Sequence, residues 1–216
     1  MSNEASSRRD RIGAVIVAGG LSSRMKDFKP LLPIGNSTMI EKVIKNFQLI
    51  GIVDIVVVTG YKSDEIEKKL SGYGVTFVLN EQYEKTHMFD SICLGLKLLA
   101  QKVDMAFLSP VDSPFVQQFT LKKMIDEIEK GKYCLIQPSF EGTNGHPLLL
   151  KKEAISILLK HDGTMGLQGA IAKMGSDFLN MPFADPGLVL DADTIYDYLK
   201  LIEYNENRQC PSLELC

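Results

Sequence analysis

Hydrophobic and polar positions alternate between two kinds of block along this chain. Short apolar runs of strand length occupy residues 12–18, 54–59, 75–79, 105–108 and 133–137. Each is nearly continuous, as in a strand buried on both faces. Between them lie segments with helical spacing. Residues 37–50 place Met39, Ile40, Val43, Ile44, Phe47 and Ile50 on one side, and residues 88–99 and 119–128 repeat the pattern. Ser63 opens another helix, with Asp64 and Glu65 near its positive end. This β-α-β rhythm predicts an α/β fold: a three-layer α/β/α arrangement around a Rossmann-like, mainly parallel sheet.

The rhythm then changes. Residues 140–145 form a polar, glycine-containing turn between 133–137 and 147–150, which predicts a small antiparallel excursion. Helices over 152–159 and 165–173, a strand over 188–190 and a last helix from 194 to about 203 complete the pattern. The expected organisation is a disordered segment 1–11, one domain over 12–203 and a tail over 204–216.

Composition narrows the classes. The 216 residues carry 24 Lys and Arg against 27 Asp and Glu, a net charge of −3, which argues against a broad nucleic-acid face. No run approaches the ~20 apolar residues that span a bilayer, so no membrane partner is expected. The polar start, MSNEASSRRDR, lacks the apolar core of a secretory signal, and a cytoplasmic location is expected. Cys93, Cys134, Cys210 and Cys216 form no CxxC pair. Cys93 and Cys134 sit in apolar segments and read as buried small hydrophobes, while His87 and His161 read as surface residues.

In open α/β sheets ligands sit beyond the carboxyl ends of the strands. That places 19–29, 59–61, 80–91 and 109–115 on one edge. The richest of these follows the first strand: VIVAGGLSSRMKDFKPLLPIG, residues 15–35. Gly19 and Gly20 let the backbone approach an anion, and successive peptide N–H groups form a concave site for it. Ser22 and Ser23 add donors, Arg24 grips phosphate in bidentate fashion, and Lys29 supplies a compact charge. A polyphosphate fits this chemistry. Neither GxxxxGK[ST] nor GxGxxG is present.

AGGLSSRMKDFKPLL resembles the A-G-G-x-S-x-R-M-G-x-x-K-x-L-L motif of the MobA-like nucleotidyltransferases, whose branches transfer guanylyl or cytidylyl groups to molybdopterin or molybdenum cofactor. Further segments are similar to that family. Asn80 lies in VLNEQYEKTHMFDS, which ends at Ser91 and looks like the segment beside the bound nucleotide. Asp112 lies in SPVDSPFV, which looks like the motif whose Asp binds Mg²⁺. Gly145-His146-Pro147 and LDADTIYDY, residues 190–198, complete the likeness. Lys26, His87, Asn144 and Ile195 depart from the family pattern.

The resemblance implies a nucleotide-diphospho-sugar transferase-like fold and an Mg²⁺-dependent nucleotidyltransferase. An NTP, CTP or GTP, would donate its nucleoside monophosphate to a molybdopterin-type acceptor, releasing pyrophosphate. Ala18, Gly19, Gly20, Ser22 and Ser23 would line the nucleotide. Arg24 would bind the leaving phosphates, Lys29 the α-phosphate, and Thr59, Asn80 and Ser91 the ribose or base. Asp112 would hold Mg²⁺, with Asp193 as a second ligand, an acceptor contact or the cap of the last helix. His146 would face the acceptor or serve as a structural hydrogen bonder, and Asp191 reads as a turn residue. A molybdenum-enzyme apoprotein or maturation factor is a further expected partner. A sugar-phosphate acceptor and a non-catalytic, nucleotide-binding role stay open at this stage.

Overall fold

In the computed structural model, the described residues are 10–20, 25 and 27–209. Ser22, Ser23, Arg24, Lys26, Cys210 and Cys216 lie outside them, as do residues 1–9.

The first strand, β1 (Ile12–Val17), is parallel to β4 (Asp54–Thr59) on one side and to β6 (Met105–Pro110) on the other. Beyond β4 lies β5 (Thr76–Leu79), again parallel. On the far side of β6 the direction changes. Strand β9 (Leu148–Lys151) runs antiparallel to both β6 and β7 (Leu135–Phe140), and β10 (Phe178–Pro182) adds parallel to β7. The order is β10-β7-β9-β6-β1-β4-β5, with the short β8 (Thr143–Asn144) hairpinned onto β7, while β2 (Pro33–Ile34) and β3 (Ser37–Thr38) form a separate antiparallel pair. The expected three-layer sheet with an antiparallel excursion is present. The chain builds outward from β1 to β5, then returns to the other side of β1 at β6. That reversal opens a crevice at the carboxyl ends of β1 and β6.

Strand periodicity divides the core. Ala14 and Ile16 face one side of the sheet, with Ile55, Val57 and Phe107. There they pack against α1 (Met39–Gln48) and α4 (Gln118–Ile128) through Ile40, Ile44, Leu121 and Met124. Val15, Val56, Val58 and Leu108 face the other side, against α3 (Met88–Leu99) and α5 (Lys152–Lys160). Helix α3 lies so close that a Cβ on Gly95 would come within 2.5 Å of Val15 and 2.8 Å of Val58. The remaining helices are α2 (Ser63–Lys69), α6 (Gly166–Ala172) and α7 (Ile195–Gln209). Among the described residues no helix is long and apolar enough to cross a membrane.

Four expectations need correction. The strand expected at 188–190 is instead a 3-10 turn, Pro186–Leu188: Pro186 starts it and the Asp185 side chain accepts the Gly187 N–H. The strand in this region is β10, which pairs only with β7. Its Asn180 and Pro182 are tolerated because it is an edge, and they break the apolar run that would have revealed it. The last helix does not end near Glu203. Residues 204–209 continue α7, because Tyr204 stacks edge-on against Phe115 at 5.2 Å and Arg208 Nη1 donates to the Phe115 carbonyl at 3.4 Å.

The cysteines and one histidine also differ. Cys93 and Cys134 are only partly buried, packed beside the α3–α5 core. Burial pushes both thiols up, which makes them poor nucleophiles. His161 is not a surface residue. Its side chain is 7% exposed, packs edge-on against Phe89, and accepts the Gly163 N–H on Nδ1.

Candidate active site

The end of β1 builds the floor. The Ala18 N–H donates to the Val58 carbonyl and the Val111 N–H to the Val17 carbonyl, so the turn into Gly19 is held between β4 and the segment after β6. Gly19 is buried against Thr59: an added Cβ would sit 3.2 Å from the Thr59 carbonyl. A Cβ on Gly60 would meet the Gly19 carbonyl at 2.6 Å. The backbone therefore crosses too closely here for larger residues, and this leaves room above it. A cavity of about 210 Å³ opens there, lined by Gly19, Gly20, Lys29, His87, Ser91 and Asp112 among others.

Lys29 starts a 3-10 turn, Lys29–Leu31, that is fixed by Pro30 and closed by the Leu32 N–H on the Lys29 carbonyl. The Met39 N–H donates to Leu32 and ties this turn to the start of α1. Lys29 Nζ lies 2.7 Å from Asp193 Oδ1 and 3.3 Å from Asp112 Oδ2. Burial pulls the Lys29 ammonium down, but its hydrogen bond to Asp193 and the charges of Asp112 and Asp193 outweigh that. Its pKa is raised, and it is a cation at neutral pH.

Asp112 reaches this point from the loop after β6, and Asp193 from the segment before α7. The cap of α7 belongs to Thr194, whose Oγ1 accepts the Asp197 N–H while the Asp197 carboxylate accepts from Thr194 N and Oγ1. Asp193 is thus directed to Lys29 rather than to the helix end. Asp191 belongs to the same group. Burial raises its pKa, and the charges of Asp112 and Asp193 raise it further against the pull of Lys29. The D-A-D spacing fits this: Ala192, between the two carboxylates, is fully buried. That spacing was the signal available in the sequence for Asp191.

His146 approaches from the turn before β9. Its N–H donates to the Leu188 carbonyl, and a Cβ on Gly145 would come within 2.6 Å of that same oxygen. Burial lowers the imidazole pKa while the Asp112 charge opposes this, so His146 is neutral at pH 7. Its Nδ1 is enclosed and has no hydrogen-bond partner among the described residues.

Two nucleotide contacts expected from the sequence are placed elsewhere. Thr59 is fully buried and its hydroxyl points to the Val78 carbonyl, because the last residue of β4 is covered by β5. Asn80 is 4% exposed and already engaged: its amide donates to Thr86 Oγ1 and Ser91 Oγ, and its carbonyl accepts the Gln82 N–H. It fastens the 80–86 loop to α3, which sets Ser91 in the cavity wall. Tyr83, Thr86 and His87 also line the cavity. The His87 N–H donates to the Asp90 carboxylate at the start of α3, so this residue is both helix cap and cavity wall.

Among the described residues, no group of three or more His, Cys, Asp or Glu side chains is set to enclose a metal. Two carboxylates meeting at one ammonium suit a different mode. Mg²⁺ is commonly held by one or two carboxylates with substrate phosphates completing its shell. Asp112 and Asp193, both in contact with Lys29, have that character.

The family model described as the MobA-like NTP transferase domain matches residues 14–178. The molybdenum cofactor cytidylyltransferase of Escherichia coli (strain K12) is 27% identical over 189 residues, covering 87% of this chain and 94% of that protein. A probable molybdenum cofactor guanylyltransferase of Natranaerobius thermophilus is 29% identical over 135 residues, 62% of each chain. A solved nucleotidyl transferase from Methanothermobacter thermautotroptrophicus superposes with a TM-score of 0.78 at 23% identity, covering 92% of this chain and 99% of that one.

Proposed function

The chain is a nucleotidyltransferase of the MobA-like NTP transferase family, and from that premise we propose that it moves a nucleoside monophosphate from CTP or GTP to a molybdopterin-type acceptor. The observation that carries this reading is Lys29 Nζ held between Asp112 and Asp193 at the mouth of the β1–β6 crevice. Cytidylyl transfer is the first choice, because the cytidylyltransferase relative aligns over nearly its whole length and this chain has Gly145-His146-Pro147.

In the proposed reaction an acceptor phosphate oxygen attacks the α-phosphorus of the NTP. The new P–O bond forms as the bond to the bridging oxygen breaks in line with it, and pyrophosphate leaves with that electron pair. The attacker is already an anion, so no general base is required. Positioning and charge stabilisation carry the rate. The Gly19 and Gly20 peptide groups face the triphosphate, Lys29 neutralises charge at the α-phosphate, and Arg24 takes the leaving phosphates. Asp112 and Asp193 would hold Mg²⁺, which would supply charge neutralisation for the phosphates. Neutral His146 would contribute on the acceptor side.

A panel of the four NTPs, each with molybdenum cofactor as acceptor and with or without Mg²⁺, tests this by pyrophosphate release. Release with CTP or GTP that requires both acceptor and Mg²⁺ supports the reading. Release only with a sugar 1-phosphate would reassign the acceptor, and no release with any NTP would overturn the catalytic role.

A further inference from the structure

A second depression lies on the other side of the Asp112 loop, between α1, α7 and the first turn of α4. It encloses about 570 Å³ and shares no lining residue with the cavity around Lys29. Lys42 and Lys45, one turn apart on α1, line it together with Arg208 of α7. No Asp or Glu lines it, although the whole chain has a net charge of −3.

The partners of these three cations are neutral. Lys42 Nζ donates to Asn205 Oδ1 at 3.0 Å, Lys45 Nζ to Ser37 Oγ at 3.2 Å, and Arg208 Nη1 to the Phe115 carbonyl at 3.4 Å. None of the three is paired with a carboxylate among the described residues. Burial pulls the Lys42 ammonium down, and repulsion from Lys45 and Arg208 adds to it. The first residues of α4 form the facing wall. Leu49 and Phe119 form exposed apolar lips.

Three cations held together without counter-charge are stabilised by any anion that bridges them. We propose that this groove is a second anion site that binds a small molecule bearing a di- or triphosphate group, separately from the cavity around Lys29. The three cations surround the phosphates, while the lips accommodate an organic portion. The site adjoins the catalytic loop. Lys42 lies 5.4 Å over the Phe115 ring, and Asn46 donates to the Pro114 carbonyl, two residues beyond Asp112. An occupant that draws Lys42 or Arg208 toward itself acts on the segment that carries Asp112.

Inorganic pyrophosphate, titrated into the full chain without divalent cation and followed through backbone amide NMR signals, tests the proposal. The signals of Asn46, Gln118 and Phe119 are expected to shift saturably in the wild type and in Lys29→Ala. In Lys42→Gln/Lys45→Gln/Arg208→Gln the apparent Kd read at those signals rises at least about tenfold, while shifts at Gly19 and Ser91 persist. If the triple variant does not fold, Lys42→Gln alone is expected to weaken binding by about threefold to fivefold. Amides of Gln118 and Phe119 that do not respond in the wild type would overturn the site. So would an affinity unchanged in the variants.

Discussion

Asp112, in the loop after β6, and Asp185, before the 186–188 turn, illustrate two uses of a carboxylate. Asp185 is fully buried and saturated: its oxygens accept from Gln117 N–H, Thr120 Oγ1 and Gly187 N–H at 2.9, 2.7 and 3.0 Å. It clamps the start of α4 to the 186–188 turn and has no capacity for a ligand. Asp112 is partly exposed, borders the cavity and faces the Lys29 ammonium. Glu41 falls with Asp185: it accepts from Thr38 N–H, Thr38 Oγ1 and Tyr73 O–H, which holds the start of α1. Saturation with donors marks a structural carboxylate, and an opening toward a cation and a cavity marks a functional one.

The strongest way to break this comparison is to remove the functional member. Asp112→Asn and Lys29→Ala should each lower kcat/KM by about 10²–10³-fold, roughly 3–4 kcal/mol of lost charge stabilisation. Their melting temperatures should stay within a few degrees of wild type, since these side chains lie at the cavity edge. Near-full turnover in either variant would remove that residue from the reaction. A large thermal loss in Asp112→Asn would place it with Asp185.

The converse substitution comes next. Asp185→Ala strands three buried donors and should cost about 3 kcal/mol, seen as a fall of roughly 6–12 °C in Tm. Asp185→Asn should recover little, because its NH₂ group would face an N–H or O–H donor. Activity per folded molecule, measured well below the Tm, should stay closer to wild type than in Asp112→Asn. A variant that melts normally would refute the clamp.

Glu41 allows the same logic to be read through pH. Burial pushes its carboxyl up, but the Thr38 and Tyr73 hydrogen bonds and the Lys69 charge outweigh this and bring the pKa from 4.5 to about 2. A depressed folded pKa gives stability that is complete above the ordinary value and is lost as pH falls from about 4.5 toward 2. Denaturant midpoints across that window should fall by about 1–3 kcal/mol of stability in the wild type. The fall should be shallower in Glu41→Gln. Parallel acid profiles for the two proteins would show that Glu41 does not carry the effect.

Sequence reading identified these two kinds of carboxylate unequally. The central strands are legible because β1, β4 and β6 are buried on both faces and read as unbroken apolar runs. Lys29 is legible because phosphate chemistry and close backbone passage demand particular residues in short order after β1, and Asp112 through the resemblance of SPVDSPFV to the family motif. Asp185 is not, since the groups that saturate it on α4 lie 65 and 68 residues away in the chain. Thr59 misleads for the opposite reason: a polar residue at a strand end suggests a ligand contact, yet β5 covers it completely. Edge strand β10 escapes the pattern through Asn180 and Pro182. Local motifs thus single out the candidate functional carboxylates, and the structural ones become visible only with the tertiary fold.

Asp191 gives the finest test, because it is not saturated with donors among the described residues and takes its character from burial and from neighbouring charge. Its raised pKa means that ionisation is opposed in the folded state, first by burial and then by Asp112 and Asp193. A raised folded pKa stabilises the protein at pH values below the ordinary one, and that advantage is lost as pH rises through the folded value. When ionised, Asp191 adds repulsion to the acidic group, which a divalent cation would relieve. Asp191→Asn should melt slightly higher than wild type in low salt without Mg²⁺, by about 1–2 °C, and should gain less from added Mg²⁺. The Mg²⁺ concentration for half-maximal turnover should rise by about threefold while kcat changes little. An Mg²⁺-dependent rise in Tm equal to that of wild type would separate Asp191 from the cation-facing group and leave Asp112 and Asp193 as its members.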